Sequence, residues 1–199
     1  YMAMKLCVFQ GTFNPIHNAH LQVAEFAHKN LGFDKVLFIP AAKPPHKSFD
    51  PKMSEHRLNI VKAAISDFPE FEVSDIEYKL EGKSYTCNTI VELYKRYKID
   101  GKINFLIGTD AFRKIESWYR TDDLKKLVDF VVFIRENNFE SDELEYLRLK
   151  GYNFKFMPLE FLDISSTEIR EKIKKCEPVQ GLLPKKAEEY INNYGLYKD

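Results

Sequence analysis

Three cysteines in 199 residues, Cys7, Cys87 and Cys176, stand too far apart for the paired spacings of a zinc site or a disulfide framework. Cys7 falls in an apolar run and reads as packing rather than as a reactive thiol. No stretch stays apolar long enough to span a bilayer, and no secretory signal pattern is present, so a reducing cytoplasm without membrane contact is expected. A surplus of charge is missing too: 30 basic and 30 acidic residues give a net charge of zero. That excludes a generally basic surface for nucleic acid, while a local anion pocket is still allowed. Neither common phosphate motif occurs. Without G-x-G-x-x-G after the first apolar run, or G-x-x-x-x-G-K-[ST] anywhere, a dehydrogenase-type dinucleotide fold and a P-loop ATPase are excluded. No serine or cysteine is placed with a histidine in an evident triad, so no covalent enzyme intermediate is expected.

What is present is an ordinary globular composition, 44% hydrophobic and 30% charged, without repeats, low-complexity segments or linkers. The length suits one domain over 1–199, with the C-terminal helices (about 164–199) packed on it. Tyr1 ahead of Met2 reads as an appended residue, with Met2 or Met4 as the start. Apolar or alternating runs at 6–9, 35–40, 71–78, 103–108, 129–134 and 154–159 read as strands, the 71–78 run lying near a sheet edge. Between them lie helical patterns. One opens near His17, one at Ser54 as N-cap with Arg57, Leu58, Ile60 and Val61 in helical spacing, and one near Asn88. Others follow Thr109-Asp110-Ala111-Phe112, cover 136–150, open at Ile164-Ser165-Ser166, and close the chain from Pro184, with Ala187, Tyr190 and Ile191 inward. Such alternation predicts an α/β fold with a doubly wound, mainly parallel sheet. Right-handed crossovers then bring the loops after the strands to one rim.

The stretch Gly11-Thr12-Phe13-Asn14-Pro15-Ile16-His17-Asn18-Ala19-His20 joins the first strand to the first helix. Its two histidines, three apart, share one face of a helix N-terminus, where free N–H groups attract anions. One histidine in such a place merely caps the helix or faces water; two on one face favour a phosphate. The loop Pro44-Pro45-His46-Lys47 either links elements in solvent or holds Lys43, His46 and Lys47 near an anion. Trp118-Tyr119 either closes the core or stacks a planar ring. Ser165-Ser166-Thr167-Glu168 is an ordinary capping pattern, or a second anion site in which Ser166 and Arg170 meet phosphate oxygens. Two phosphate-ready helix starts on one rim predict a polyphosphate substrate, and positioning with electrostatics suits in-line displacement.

The first stretch resembles the (H/T)xGH signature of the nucleotidylyltransferase superfamily, and Ile164-Ser165-Ser166-Thr167-Glu168-Ile169-Arg170 resembles its ISSTxIR signature. With Pro44-Pro45-His46-Lys47, Ser84-Tyr85-Thr86, Gly108-Thr109-Asp110 and Trp118-Tyr119, nearly the whole chain is similar to the bacterial nicotinate-mononucleotide adenylyltransferases. Two positions depart. Ala19 replaces the signature glycine, placing a methyl where ATP approaches closely, and Asn88 stands where aspartate is expected.

The resemblance implies a Rossmann-like fold and a reaction in which ATP and nicotinate mononucleotide give deamido-NAD and pyrophosphate. Mg²⁺ is held by ATP phosphates and water, with no side chain assigned to the metal. His17, His20 and Arg170 become the catalytic set. Gly11, Thr12, Phe13, Gly108, Ile164, Ser165 and Ser166 join them around ATP. Asn14, His46, Lys47, Thr86, Asp110, Trp118, Tyr119 and Arg135 fall to the mononucleotide, with Trp118 and Tyr119 stacking the pyridine ring. Homo-oligomerisation is left open. The alternatives are a sister enzyme using nicotinamide mononucleotide or phosphopantetheine, or a non-catalytic nucleotide sensor. A third reading, an interaction module, has only the neutral charge and the surface helix near residue 145 in its favour. Phosphopantetheine has no need of Trp118-Tyr119, and a sensor has no need of His17, His20 and Arg170.

Overall fold

The computed structural model describes residues 2–43 and 50–199. Six apolar runs form strands: β1 Leu6–Gly11, β2 Lys35–Pro40, β3 Phe71–Val73, β4 Ile103–Gly108, β5 Val128–Phe133 and β6 Phe154–Phe156. They build one sheet in the order β3-β2-β1-β4-β5-β6, every neighbouring pair parallel. The helices are α1 Asn18–Leu31, α2 Pro51–Ile65, α3 Ile76–Lys79, α4 Thr86–Arg96, α5 Thr109–Phe112, α6 Thr121–Leu127, α7 Glu145–Leu149, α8 Ser166–Lys174 and α9 Lys185–Tyr194. None of the described helices is long and apolar enough to cross a membrane.

Successive strand side chains point to opposite faces, so each apolar run feeds two cores. Cys7 and Phe9 pack with Val36, Phe38 and Leu106 under α1, α2, α8 and α9. Leu6 and Val8 pack with Leu37, Ile39 and Phe105 under α4, α5, α6 and α7. Strand order reverses between β1 and β4. β1 lies against β4 with Phe9 opposite Leu106, and the chains part just beyond, at Gly11 and Gly108. A crevice at the carboxyl ends of the strands is the consequence.

Five local expectations need correction. The 71–78 run is a strand only to Val73, although it is the edge strand expected. Ser74 Oγ accepts from the Ile76 amide and starts α3, which turns the adjacent Ile76 and Glu77 inward together; a strand would send them to opposite faces. Asp50, not Ser54, caps α2: its carboxylate accepts from Lys52 N at 3.0 Å with Pro51 in the first turn, and Ser54 Oγ donates to Ala42 O at 2.9 Å. α4 begins at Thr86, two residues before Asn88. The 136–150 segment is helical only in a 3₁₀ turn at Ser141–Leu144 and in α7. The last strand ends at Phe156, short of Pro158, which has no N–H for a ladder.

Candidate active site

The crevice at the sheet switch point is a cleft of about 1220 Å³. One wall is the turn from β1 to α1. His17 is the N-cap of α1, with Nδ1 accepting from Ala19 N at 3.2 Å; His17 N in turn donates to His20 Nδ1 at 3.0 Å. An Nδ1 that accepts carries no proton, so each neutral imidazole holds its proton on Nε2, free to donate to an anion. The rings stack 3.8 Å apart, and Phe13 and Phe9 hold His20 edge-to-face at 5.1 and 5.8 Å. Burial lowers the His17 pKa to about 4, with the Arg135 charge adding to it. His20 is pushed well below the usual histidine range by burial, then by His17 and Arg135. Both rings are therefore neutral donors at pH 7. Phe13 has φ 48°, strained for a residue with a Cβ, and its ring is buried against Gly11, where an added Cβ would sit 3.3 Å from it.

The opposite wall is the start of α8. Ser165 caps it, accepting from Glu168 N at 3.1 Å. Ser166 Oγ donates to Pro15 O and Arg170 Nη1 to Asn14 O, both at 2.8 Å, so the late helix is bolted to the early loop. With the Ser166 hydroxyl so engaged, α8 offers an anion its backbone N–H groups and the rest of the Arg170 guanidinium. A third side comes from β4, β5 and the segment beyond them. A Cβ on Gly108 would lie 2.7 Å from Arg135 Cδ and 2.9 Å from Asp110 Oδ1, so only glycine lets both side chains close over the strand end. Arg135 lies 3.9 Å from the Asp110 carboxylate and against the Phe161 ring. Trp118 is half-buried, edge-on to Phe105, while Tyr119 is 51% exposed and stacks on Tyr85 at 4.4 Å.

Of the sequence-predicted residues, Gly11, Thr12, Phe13, Asn14, His17, His20, Thr86, Gly108, Asp110, Trp118, Tyr119, Arg135, Ser165, Ser166 and Arg170 line this cleft together. Ile164 does not: it packs against the core beneath α8. His46 and Lys47 lie outside the described residues. Ala19 is fully buried and absent from the lining, so its methyl points away from the crevice. Asn88 also stays off the lining, accepting from Arg120 at 3.2 Å.

Sequence reasoning missed Gln10, Arg57, Tyr85 and Phe161, which share the lining. Arg57 is 4% exposed and holds the loop between β1 and α1, donating to Thr12 O at 2.7 Å and to Ser54 Oγ at 3.0 Å. An arginine on the apolar face of α2 was the signal for it. Among the described residues of the lining, Arg57, Arg135 and Arg170 stand against two carboxylates, Asp50 and Asp110, an excess of positive charge suited to polyphosphate. No three His, Cys, Asp or Glu side chains gather as a metal site among the described residues.

A cytidylyltransferase-like family model matches residues 8–172. A protein of Clostridium tetani named "Probable nicotinate-nucleotide adenylyltransferase" is 41% identical over 98% of this chain and 99% of its own length. One of the same name from Caldicellulosiruptor saccharolyticus is 37% identical over 98% of this chain and all of its own. Among solved structures, a Plasmodium falciparum nicotinic acid mononucleotide adenylyltransferase complexed with NaAD superposes with a TM-score of 0.77 over 96% of both chains at 21% identity, a likeness of fold.

Proposed function

The chain belongs to the cytidylyltransferase-like family, with the nicotinate-nucleotide adenylyltransferases, and from that premise we propose its reaction. ATP and nicotinate mononucleotide give deamido-NAD and pyrophosphate. A phosphate oxygen of the mononucleotide forms a bond to the α-phosphorus of ATP. The bond from that phosphorus to the β-bridging oxygen breaks, and pyrophosphate leaves with the electron pair.

One observation carries this reading: both helix starts open into a single cleft, tied by Arg170–Asn14 O and Ser166–Pro15 O. The Nε2–H groups of His17 and His20 donate to the α- and β-phosphates and strengthen as charge builds in the transition state. Arg170 and the α8 N–H groups receive the leaving pyrophosphate. Gly11, Thr12, Phe13 and Gly108 shape the ATP side by close backbone approach. On the mononucleotide side, Asn14, Asp110 and Arg135 fix the sugar phosphate, Trp118 and Tyr119 cover the pyridine ring, and the Thr86 amide at the start of α4 takes its carboxylate. His46 and Lys47 belong to this side by family resemblance alone.

ATP enters as its Mg²⁺ complex. The ion would be carried chiefly by phosphate oxygens and water, with Asp50 and Asp110 the carboxylates of the lining within reach, and would neutralise developing charge. Three free thiols, Cys176 exposed among them, suit a reducing cytoplasm. Pyrophosphate release with Mg²⁺ and ATP tests the reading, against nicotinate mononucleotide, nicotinamide mononucleotide and phosphopantetheine side by side. Fastest release is expected with the first; release with phosphopantetheine alone, or with none, overturns the assignment.

A further inference from the structure

We propose that Glu77 is a positioning residue that sets the preference for acid over amide at the pyridine subsite, through a hydrogen-bond chain running from Glu77 to Gln10 to Thr86. The inference rests on the proposed placing of the pyridine substituent at Thr86. Glu77 is 3% exposed, and it is absent from the cleft lining to which Gln10 and Thr86 belong. Its Oε2 accepts from Gln10 Nε2 and, at 2.7 Å, from Thr89 Oγ1; Gln10 Oε1 accepts from the Thr86 hydroxyl. Its Oε1 has no hydrogen-bond partner among the described residues. Glu77 therefore acts on the cleft through an amide that has one donor end and one acceptor end.

That amide makes the chain directional. An ionised Glu77 only accepts, so Gln10 turns its NH₂ inward and its carbonyl to Thr86, and the Thr86 proton points away from the ligand. The cleft then meets hydroxyl lone pairs, which suit a carboxamide NH₂ and repel a carboxylate. One proton taken up from water on Oε2 reverses every bond. The acid O–H donates to the Gln10 carbonyl, the flipped NH₂ donates to Thr86 Oγ1, and the Thr86 proton is released toward the ligand. Thr89 keeps an acceptor throughout, since Tyr85 O lies 3.2 Å from its hydroxyl. The groups facing Glu77 are Arg57 from α2, Tyr78 beside it on α3, and the hydroxyls of Ser84 and of Thr89 in α4. Burial pushes the Glu77 pKa up to about 7 against the pull of the two hydroxyls and Arg57, so both directions are populated near neutrality.

The test measures KM for nicotinate mononucleotide and nicotinamide mononucleotide from about pH 6 to 8.5 at saturating Mg²⁺–ATP, in the wild type, Glu77→Gln and Gln10→Met. The acid-to-amide KM ratio cancels the titration of the shared phosphate. In the wild type the ratio is expected to rise about tenfold across this range, the worth of one hydrogen bond to a charged group. Glu77→Gln carries no titrating group, so its ratio stays flat across this range, with the change in KM rather than kcat. Gln10→Met, which cuts the chain and leaves Glu77 in place, also flattens the ratio and decides the matter if Glu77→Gln does not fold. Equal pH slopes in wild type and variants overturn the inference while leaving the reaction standing. A wild type that adenylylates neither mononucleotide overturns both.

Discussion

At the scale of the residue, the two histidines do different local work before any substrate arrives. His17 Nδ1 accepts from Ala19 N in α1 and His20 Nδ1 from the N–H of the N-cap residue His17, so the helix start fixes both tautomers. His20→Ala removes one preorganised donor and one capping acceptor. Turnover should fall by at least about a hundredfold, while stability falls by only about 1 kcal/mol; near-normal kcat would remove His20 from the mechanism. His17 is testable by acid. Its folded pKa near 4 lies below the ordinary 6.5, so the unfolded chain takes up a proton that the folded one refuses. The stability at stake is present above pH 6.5 and lost as pH falls toward 4, by up to about 3 kcal/mol. Glu77 has the opposite sign: raised from 4.5 to about 7, it favours folding below 4.5 and loses that as pH rises through 7. His17→Asn keeps a capping acceptor without the titration. Thermal melts at about pH 7 and 4.5 should therefore show a smaller acid loss in His17→Asn than in the wild type.

Among the elements, the segment beyond β4 decides how a flat ring is received. α5 is one turn long, and a 3₁₀ turn at Ile115–Ser117 delivers Trp118 half-buried against Phe105 and Tyr119 outward onto Tyr85. Trp118→Ala should raise KM for the mononucleotide more than KM for ATP, since one ring-stacking contact is worth about 1–3 kcal/mol. The reverse ranking, in steady-state kinetics with each substrate varied, would move Trp118 off the pyridine side. Of the described helices, α1, α2 and α8 have a side-chain acceptor at the N-cap within three residues of its donor. Those of α1 and α8 could be read along the chain, while at α2 Asp50 outcompeted Ser54 by standing directly before proline.

Over the whole molecule, the last residues return to the first loop. Tyr197, close to the C-terminus, donates its hydroxyl to Asn14 Oδ1 at 2.7 Å, and burial raises its pKa beyond the ordinary tyrosine range. Tyr197→Phe leaves that acceptor unpaired; a loss of about 1–2 kcal/mol in thermal unfolding is expected, together with a higher KM for the mononucleotide. Unchanged values of both would detach the tail from the site. What the sequence by itself determined was local: two-faced apolar runs that demand a covered parallel sheet, polar acceptors that start helices, and two phosphate-ready mouths. Strand order alone placed those mouths on one cleft. It joined Arg170 to Asn14 across 156 residues, Gln10 to Thr86 across 76 and Gln10 to Glu77 across 67. A side chain's neighbours within a few positions set its backbone preference, and these can be read along the chain. Which distant group it meets in a dry interior depends on crossovers and register, so the buried Arg57 and Glu77 acquired their roles only when the sheet closed over them.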